Sequence, residues 1–331
     1  MTQPSSPGAL PVAEVARLGA EVLDAVGGAV VGMGSALRLA LATVLAGGHV
    51  LFEDVPGLGK TLASRSLASA LGLDFRRLQC TPDLLPADIT GSNVYDPATR
   101  EFEFRPGPVF TGLFLADEIN RTSPKTQSAL LEAMAERQVT VEGVSYPLAR
   151  PFHVVATSNP VEYEGTYPLP EAQLDRFMLR LAVGHPDAAG EAEIVRRRLE
   201  RRREEVDVPA VVDPATLLAM QAGTEAVAVA PDVVAYAVAL VAATRAHPGV
   251  EIGASPRGTQ ALVLVARGLA VLEGRAWVTP DDVKAVAVPA LAHRLTLTPQ
   301  AWATDLSPAA VVRQALGSVP TPSSAGHDVR A

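Results

Sequence analysis

Residues Asp54–Thr61 read DVPGLGKT, and this stretch decides the fold. An apolar run, VLF at 50–52, precedes it, and a helical pattern, LASRSLASALG at 62–72, follows. A strand that turns through glycines into a helix is the setting of a phosphate-binding loop. Gly57 and Gly59 let backbone N–H groups turn inward around phosphate oxygens with no Cβ in the way. The N-terminus of the following helix adds the positive end of its dipole. The candidate nucleotide contacts are therefore Pro56, Gly57, Leu58, Gly59, Lys60, Thr61 and Leu62. Lys60 would reach the β- and γ-phosphates, and Thr61 would offer a hydroxyl to Mg2+. The pattern GxxxxGK[ST] departs at its first glycine, which is Asp54 here. That position precedes the cradle, so nucleotide binding is expected to survive the change. A glycine-rich loop that holds no ligand is the plainer reading of the same residues.

Further along, Gly112–Asn120 (GLFLADEIN) is an apolar strand ending in Asp117–Glu118. This places two carboxylates at the C-terminal edge of a parallel sheet, where ligands of such folds bind. Asp117 suits the Mg2+ shell and Glu118 suits polarisation of the attacking water. Taken alone, the pair could equally cap a helix. A fourth strand, FHVVAT at 152–157, leads into Ser158, Asn159 and Pro160. An amide at that edge can hydrogen-bond both a γ-phosphate and a lytic water, although Asn before Pro is also a turn signal. Arg176 lies in LPEAQLDRF (169–177), where Asp175 or Glu171 could pair with it. Arg257, in Ser255–Pro256–Arg257, opens a helix, the end at which the dipole disfavours a cation, so an anionic partner is expected.

Strand and helix patterns alternate up to about residue 183, as in a parallel sheet covered by helices. Strands are expected at His49–Glu53, Phe75–Cys80, Gly112–Ala116, Phe152–Thr157 and Met178–Val183. Beyond residue 187 the patterns are helical: Ala188–Arg203, Pro214–Gly223, Pro231–Ala246, Pro256–Glu273 and Pro280–His293. Several of these open with Pro, which suits a first helical turn. The expected organisation is a disordered lead at 1–11, an α/β nucleotide-binding domain at 12–186, a helical domain at 187–317 and a disordered tail at 318–331. Two segments within the α/β domain, 89–108 and 138–151, carry turn signals and alternation that mark them as insertions.

Composition narrows the function classes. The 331 residues are 48% apolar but only 5% aromatic, so the core is built mainly from Ala, Val and Leu. A net charge of −8 argues against non-specific grip on nucleic acid, which needs clustered Lys and Arg. No apolar run reaches the length of a spanning helix, and the N-terminus lacks signal-peptide organisation. Cys80 is the only cysteine, so no intrachain disulfide forms. A cytoplasmic protein is expected. Cys80 reads as inert and His153 as a packed or edge histidine. The Arg-rich stretch Glu191–Glu205 has interspersed Glu, and reads as a solvated helix face laced with i,i+4 pairs.

The stretches EDVPGLGKT (53–61), TPDLLPADITG (81–91), LADEINRTSPKTQSALLEAM (115–134), EGTYPLPEAQLDRF (164–177) and ASPRG (254–258), in that order, resemble the AAA+ ATPases and, more closely, their MoxR family. The resemblance spans about residues 12–300. It implies an AAA+ parallel sheet flanked by helices, followed by a smaller all-helical lid, and an enzyme that hydrolyses ATP with Mg2+. It makes Lys60 the Walker A lysine, Asp117–Glu118 the Walker B pair and Asn159 sensor 1. Arg176 becomes the arginine finger and Arg257 sensor 2, while the two insertions match the helix-2 insert and the pre-sensor hairpin. It further implies a homo-oligomeric ring, usually a hexamer, that remodels or matures a protein client with a von Willebrand factor A domain partner. Two alternatives remain at this point. A metal-chelatase ATPase subunit would associate with a large porphyrin-binding subunit, and a DNA motor would be stimulated by DNA.

Overall fold

The computed structural model describes residues 8–160 and 165–322. Residues 1–7 of the expected lead (1–11) and 323–331 of the expected tail (318–331) lie outside the described residues. Helices α1 (Val12–Ala29) and α2 (Gly34–Leu45) precede strand β1 (Val50–Glu53). The glycine loop then enters α3 (Lys60–Ala70), followed by β2 (Phe75–Gln79) and the short α4 (Pro86–Thr90). A hairpin of β3 (Gly91–Asp96) and β4 (Glu101–Pro106) leads to β5 (Leu113–Asp117) and α5 (Pro124–Glu136). A second hairpin, β6 (Gln138–Val141) and β7 (Val144–Pro147), leads to β8 (His153–Ser158), the short α6 (Glu171–Leu174) and β9 (Leu179–Leu181).

The remaining elements are α7 (Ala188–Arg201), α8 (Pro214–Glu225), α9 (Pro231–Ala246), β10 (Val250–Ile252), α10 (Pro256–Leu272), α11 (Pro280–Leu291), β11 (Thr296–Leu297), α12 (Pro299–Trp302) and α13 (Pro308–Ser318). The C-terminal part is helical, as expected, with one addition. Strands β10 and β11 pair antiparallel. Each is too short to show an alternating pattern in the sequence.

The five expected strands form one sheet in the order β2-β5-β8-β1-β9. Every pairing within it is parallel. A parallel sheet must be covered on both faces, and alternate residues of each strand supply the two cores. Leu113 and Leu115 face the core that holds α1, α2 and α3, whereas Phe114 and Ala116 face the one that holds α5. The first core does not stop at residue 187. It continues into α8, α9, α10 and α11 through Leu217, Leu240, Leu262 and Val283. Contact between α2 and α10 is so close that a Cβ on Gly268 would stand 2.4 Å from the carbonyl oxygen of Ala42. The end of the expected N-terminal lead is also fastened, because the Leu10 N–H donates to the Ala219 carbonyl at 3.1 Å.

The two insertions both fold as antiparallel hairpins, and they are joined. The Phe104 and Tyr146 rings stack at 3.8 Å between centroids. Asn93 Nδ2 also donates to Glu142 Oε2 at 2.7 Å. Helix α7 has no buried residue, and two of its arginines are paired as the Glu spacing implies. Arg196 contacts Glu193 and Glu200, and Arg197 contacts Glu193. Arg197 also donates to the carbonyls of Gly27 and Gly28 at the end of α1.

Asp54 has a part in the fold that its place in the motif does not reveal. Its Oδ1 accepts from Val55 N–H at 2.8 Å. Its Oδ2 accepts from Val183 N–H at 2.8 Å and Gly184 N–H at 2.7 Å. The carboxylate thereby latches the loop after β1 to the chain leaving β9. Burial acts to raise its pKa, but the N–H groups of Gly184, Val55 and Val183 and the charge of Lys60 outweigh it and hold the carboxyl below its ordinary range. Asp54→Ala should reduce the unfolding free energy by about 1–3 kcal/mol, the worth of hydrogen bonds to a charged group. Urea unfolding measures this, and an unchanged midpoint would show the latch to be dispensable.

At the opposite end of the sheet lie two buried histidines. His49 Nδ1 accepts from Val154 N–H at 2.9 Å, and its Nε2 points at the Met134 carbonyl. His153 Nδ1 donates to the Gly48 carbonyl at 2.9 Å, leaving Nε2 to accept from Gln221. Each ring thus has one nitrogen facing a donor, where a second proton has no acceptor. Burial pushes His49 down to about 3, helped by the charge of His153, and His153 down to about 4. Unfolded histidine titrates near 6.5, so from that pH downward only the unfolded chain takes up these protons. Stability should be fully present above about pH 6.5 and fall by roughly 1.4 kcal/mol per histidine per pH unit below it. Unfolding measured from pH 7.5 to 5, a range in which most carboxylates stay ionised, should show this decline. His153→Gln should make it shallower.

Candidate active site

Strand β1 ends at the C-terminal edge of the sheet, and the chain turns through Gly57 and Gly59 at φ +85° and +80°. A Cβ added at either glycine would meet nothing within 4 Å. The backbone therefore wraps an open space that side chains do not fill. The resulting cavity, about 370 Å3, is lined by Pro56–Leu62, Arg77, Gln79, Asp117, Glu118, Thr157, Ser158 and Asn159. Lys60 Nζ donates to the Asp54 carbonyl at 2.6 Å. Burial lowers the Lys60 pKa, opposed by Asp54, Asp117, Glu118 and Glu53, so the ammonium stands in a ring of carboxylates.

Asp117 closes β5 and is largely buried. Thr157 Oγ1, from β8, donates to its Oδ1 at 2.5 Å. Thr61 Oγ1, from the first turn of α3, donates to its Oδ2 at 3.2 Å. Adjacent hydroxyl and carboxylate oxygens are hard donors of the kind Mg2+ takes, and Mg2+ commonly completes its shell with water and substrate phosphates. Thr61 and Asp117 therefore fit the ion. No cluster of three His, Cys, Asp or Glu that could hold a metal exists among the described residues.

Glu118 has φ +59° and ψ +51°, the left-handed region that a non-glycine residue seldom occupies. Such a conformation costs on the order of 1–3 kcal/mol. Its N–H is held by Thr157 Oγ1 at 2.8 Å. Gln79 Nε2 at 2.7 Å and Arg121 Nη1 at 2.9 Å both donate to its Oε2. Asn159 is buried at the end of β8, and its carbonyl accepts from Asn120.

The structure thus brings together Pro56–Leu62, Asp117, Glu118 and Asn159 around one cavity. Arg176 and Arg257 are not among its lining residues. Both line a separate groove with Met134, Asp175, Gln260 and Arg294. Asp175 does not serve Arg176, the pairing weighed from sequence. It accepts from Arg294 Nε at 2.7 Å and Ser255 Oγ at 3.0 Å, with Arg257 at 4.0 Å. Arg294 is buried and also donates to the Phe177 and Met178 carbonyls, which fastens α11's end beneath the segment carrying Arg176. The Glu171 side chain lies outside the described residues.

Sequence reasoning passed over Arg77, Gln79, Arg121 and Thr157. Thr157 stood in view as the last residue of an expected strand, but its bond to Asp117 depends on β5 and β8 being neighbours. Cys80 packs behind the site, buried, and burial followed by the charges of Asp117 and Glu118 pushes its thiol up to about 12. It remains a protonated core residue.

Residues 49–179 match the ATPase family associated with various cellular activities (AAA), and residues 242–315 match the AAA lid domain. The chain is 49% identical to the uncharacterised protein YeaC of Bacillus subtilis, over 86% of this chain and 88% of that one. It is 41% identical to Chaperone MoxR1 of Mycobacterium tuberculosis, over 88% of this chain and 79% of that one. A crystal structure of a presumed ATPase from Cytophaga hutchinsonii superposes with a TM-score of 0.87 at 39% identity, covering 94% of this chain and 97% of the other. With an AAA core, an AAA lid and relatives of this similarity along most of its length, the chain belongs to the MoxR family of AAA+ ATPases.

Proposed function

We propose that this chain hydrolyses ATP with Mg2+ and uses the cycle to remodel or mature a protein client. The observation that carries the reading is the convergence of Lys60, Thr61, Asp117, Glu118 and Asn159 on the one cavity that the glycine loop wraps. Lys60 and the N–H groups of the loop take the β- and γ-phosphates. Thr61 and Asp117 would hold Mg2+, which when bound neutralises phosphate charge. Glu118 orients the water and receives its proton, and the Asn159 amide aligns water and γ-phosphate.

Lys60→Ala should weaken nucleotide binding, whereas Glu118→Gln should bind ATP normally and lose turnover by about 10²–10⁴-fold. Equilibrium binding of a fluorescent ATP analogue and phosphate release separate the two effects. A Glu118→Gln variant with full turnover would sink the assignment.

The proposed assembly is a homo-oligomeric ring, a hexamer, acting in the cytoplasm with a von Willebrand factor A domain partner. Support for catalysis shared between subunits comes from the placement of Arg176 and Arg257 in a groove of their own. Arg176 there serves the γ-phosphate of ATP bound by the neighbouring subunit. Arg176→Ala should bind ATP and lose about 10³–10⁵-fold in turnover, the range for such fingers. Mixing Arg176→Ala with Lys60→Ala subunits rebuilds complete sites at some interfaces, so activity should return. Silence from rings that native mass spectrometry shows to be mixed would refute action across the interface.

A further inference from the structure

Strand β2 is an edge of the sheet, and its alternation puts Arg77 and Gln79 on one face, two residues apart. Pairing with β5 sets Gln79 opposite Asp117. From this position Arg77 reaches across with two donors. Its Nε lies 2.9 Å and its Nη2 2.8 Å from Asp117 Oδ2. Nη2 also donates to Gln79 Oε1 at 2.8 Å, and the Gln79 amide N–H in turn donates to Glu118.

The oxygen that Arg77 covers is the one that Thr61 shares. Thr61 Oγ1 is 3.2 Å from Asp117 Oδ2, while the other oxygen is committed to Thr157. A divalent cation held between Thr61 and Asp117 needs that Oδ2. A guanidinium and a divalent ion on one oxygen repel strongly in a partly dry site. Withdrawal is cheap for Arg77, because its side chain is 49% exposed on an edge strand, whereas that of Asp117 is 11% exposed. Lys60 is not the competing cation, since its ammonium is turned to the Asp54 carbonyl.

We propose that Arg77 is the resident counter-cation of Asp117, a positioning residue that Mg2+ must displace to enter the site. The inference rests on Asp117 holding the ion, as in the function proposed above.

The test is the Mg2+ dependence of nucleotide binding by the full chain, with no turnover needed. A fluorescent ATP analogue is bound in EDTA and Mg2+ is then titrated in, for the parent and for Arg77→Gln, Arg77→Lys and Asp117→Asn. Removing an ion-pair competitor should bring the Arg77→Gln midpoint about two- to fivefold below the parent. Arg77→Lys, which keeps the charge, should return it towards the parent. A purely structural loss would not make the site respond to less Mg2+. An Arg77→Gln midpoint at or above the parent, with Asp117→Asn clearly shifted upward, overturns the proposal alone. An Asp117→Asn midpoint equal to the parent overturns the reading of Asp117 as well. Weakened binding of Arg77→Gln in EDTA with an unmoved midpoint would place Arg77 on the phosphates, which also refutes it.

Discussion

The carboxylate of Asp117 is the point to which the sheet is tuned. It is reached by Thr157 from β8, by Thr61 from the helix following β1 and by Arg77 from β2. Those contacts come from the placing of β2 and β8 on either side of β5, with β1 next beyond β8. In this order every donor arrives at the C-terminal edge from a different direction. A carboxylate with so little exposure needs such partners, because removing its charge from water is costly without them. Site and topology are therefore one constraint viewed at two scales.

The same economy extends to the helical lid. Core packing runs from β1 through α2 into α10, and Arg294 clamps the lid to the backbone of Phe177 and Met178 just before β9. Ser255, which caps α10, and Arg294 share Asp175 as their acceptor. Arg176 follows Asp175 directly, and Arg257 stands two residues after Ser255. Any rotation of the lid relative to the sheet is thus felt at both arginines together.

Much of this was legible in the chain itself, because the strands are apolar runs ending in chemistry and the glycine loop is local. Lys60, Thr61, Asp117, Glu118 and Asn159 each stand at a strand end or loop whose character is set within ten residues or so. What escaped depends on neighbours in space. FRRLQ reads simply as part of a strand, and nothing within it tells that Arg77 and Gln79 face the two acidic residues about forty positions on. Asp54 looked like a lost glycine because its three backbone partners include Val183 and Gly184, far along the chain. The continuity between α2 and α10 rests on Gly268, a small residue in a helix, where sequence shows only a propensity penalty.

The stacking of Phe104 on Tyr146 has a mechanical meaning. The first hairpin feeds β5, which carries Asp117, and the second feeds β8, which leads to Asn159. One stack between their strands, and one amide–carboxylate bond from a strand of the first to the turn of the second, tie the two hairpins together, and each hairpin leads into a strand that ends at the site. An aromatic stack contributes about 0.5–1.5 kcal/mol beyond its buried area. That is enough to transmit small displacements and little enough to let go under large ones. The hairpins are coupled as by a clutch, not a weld.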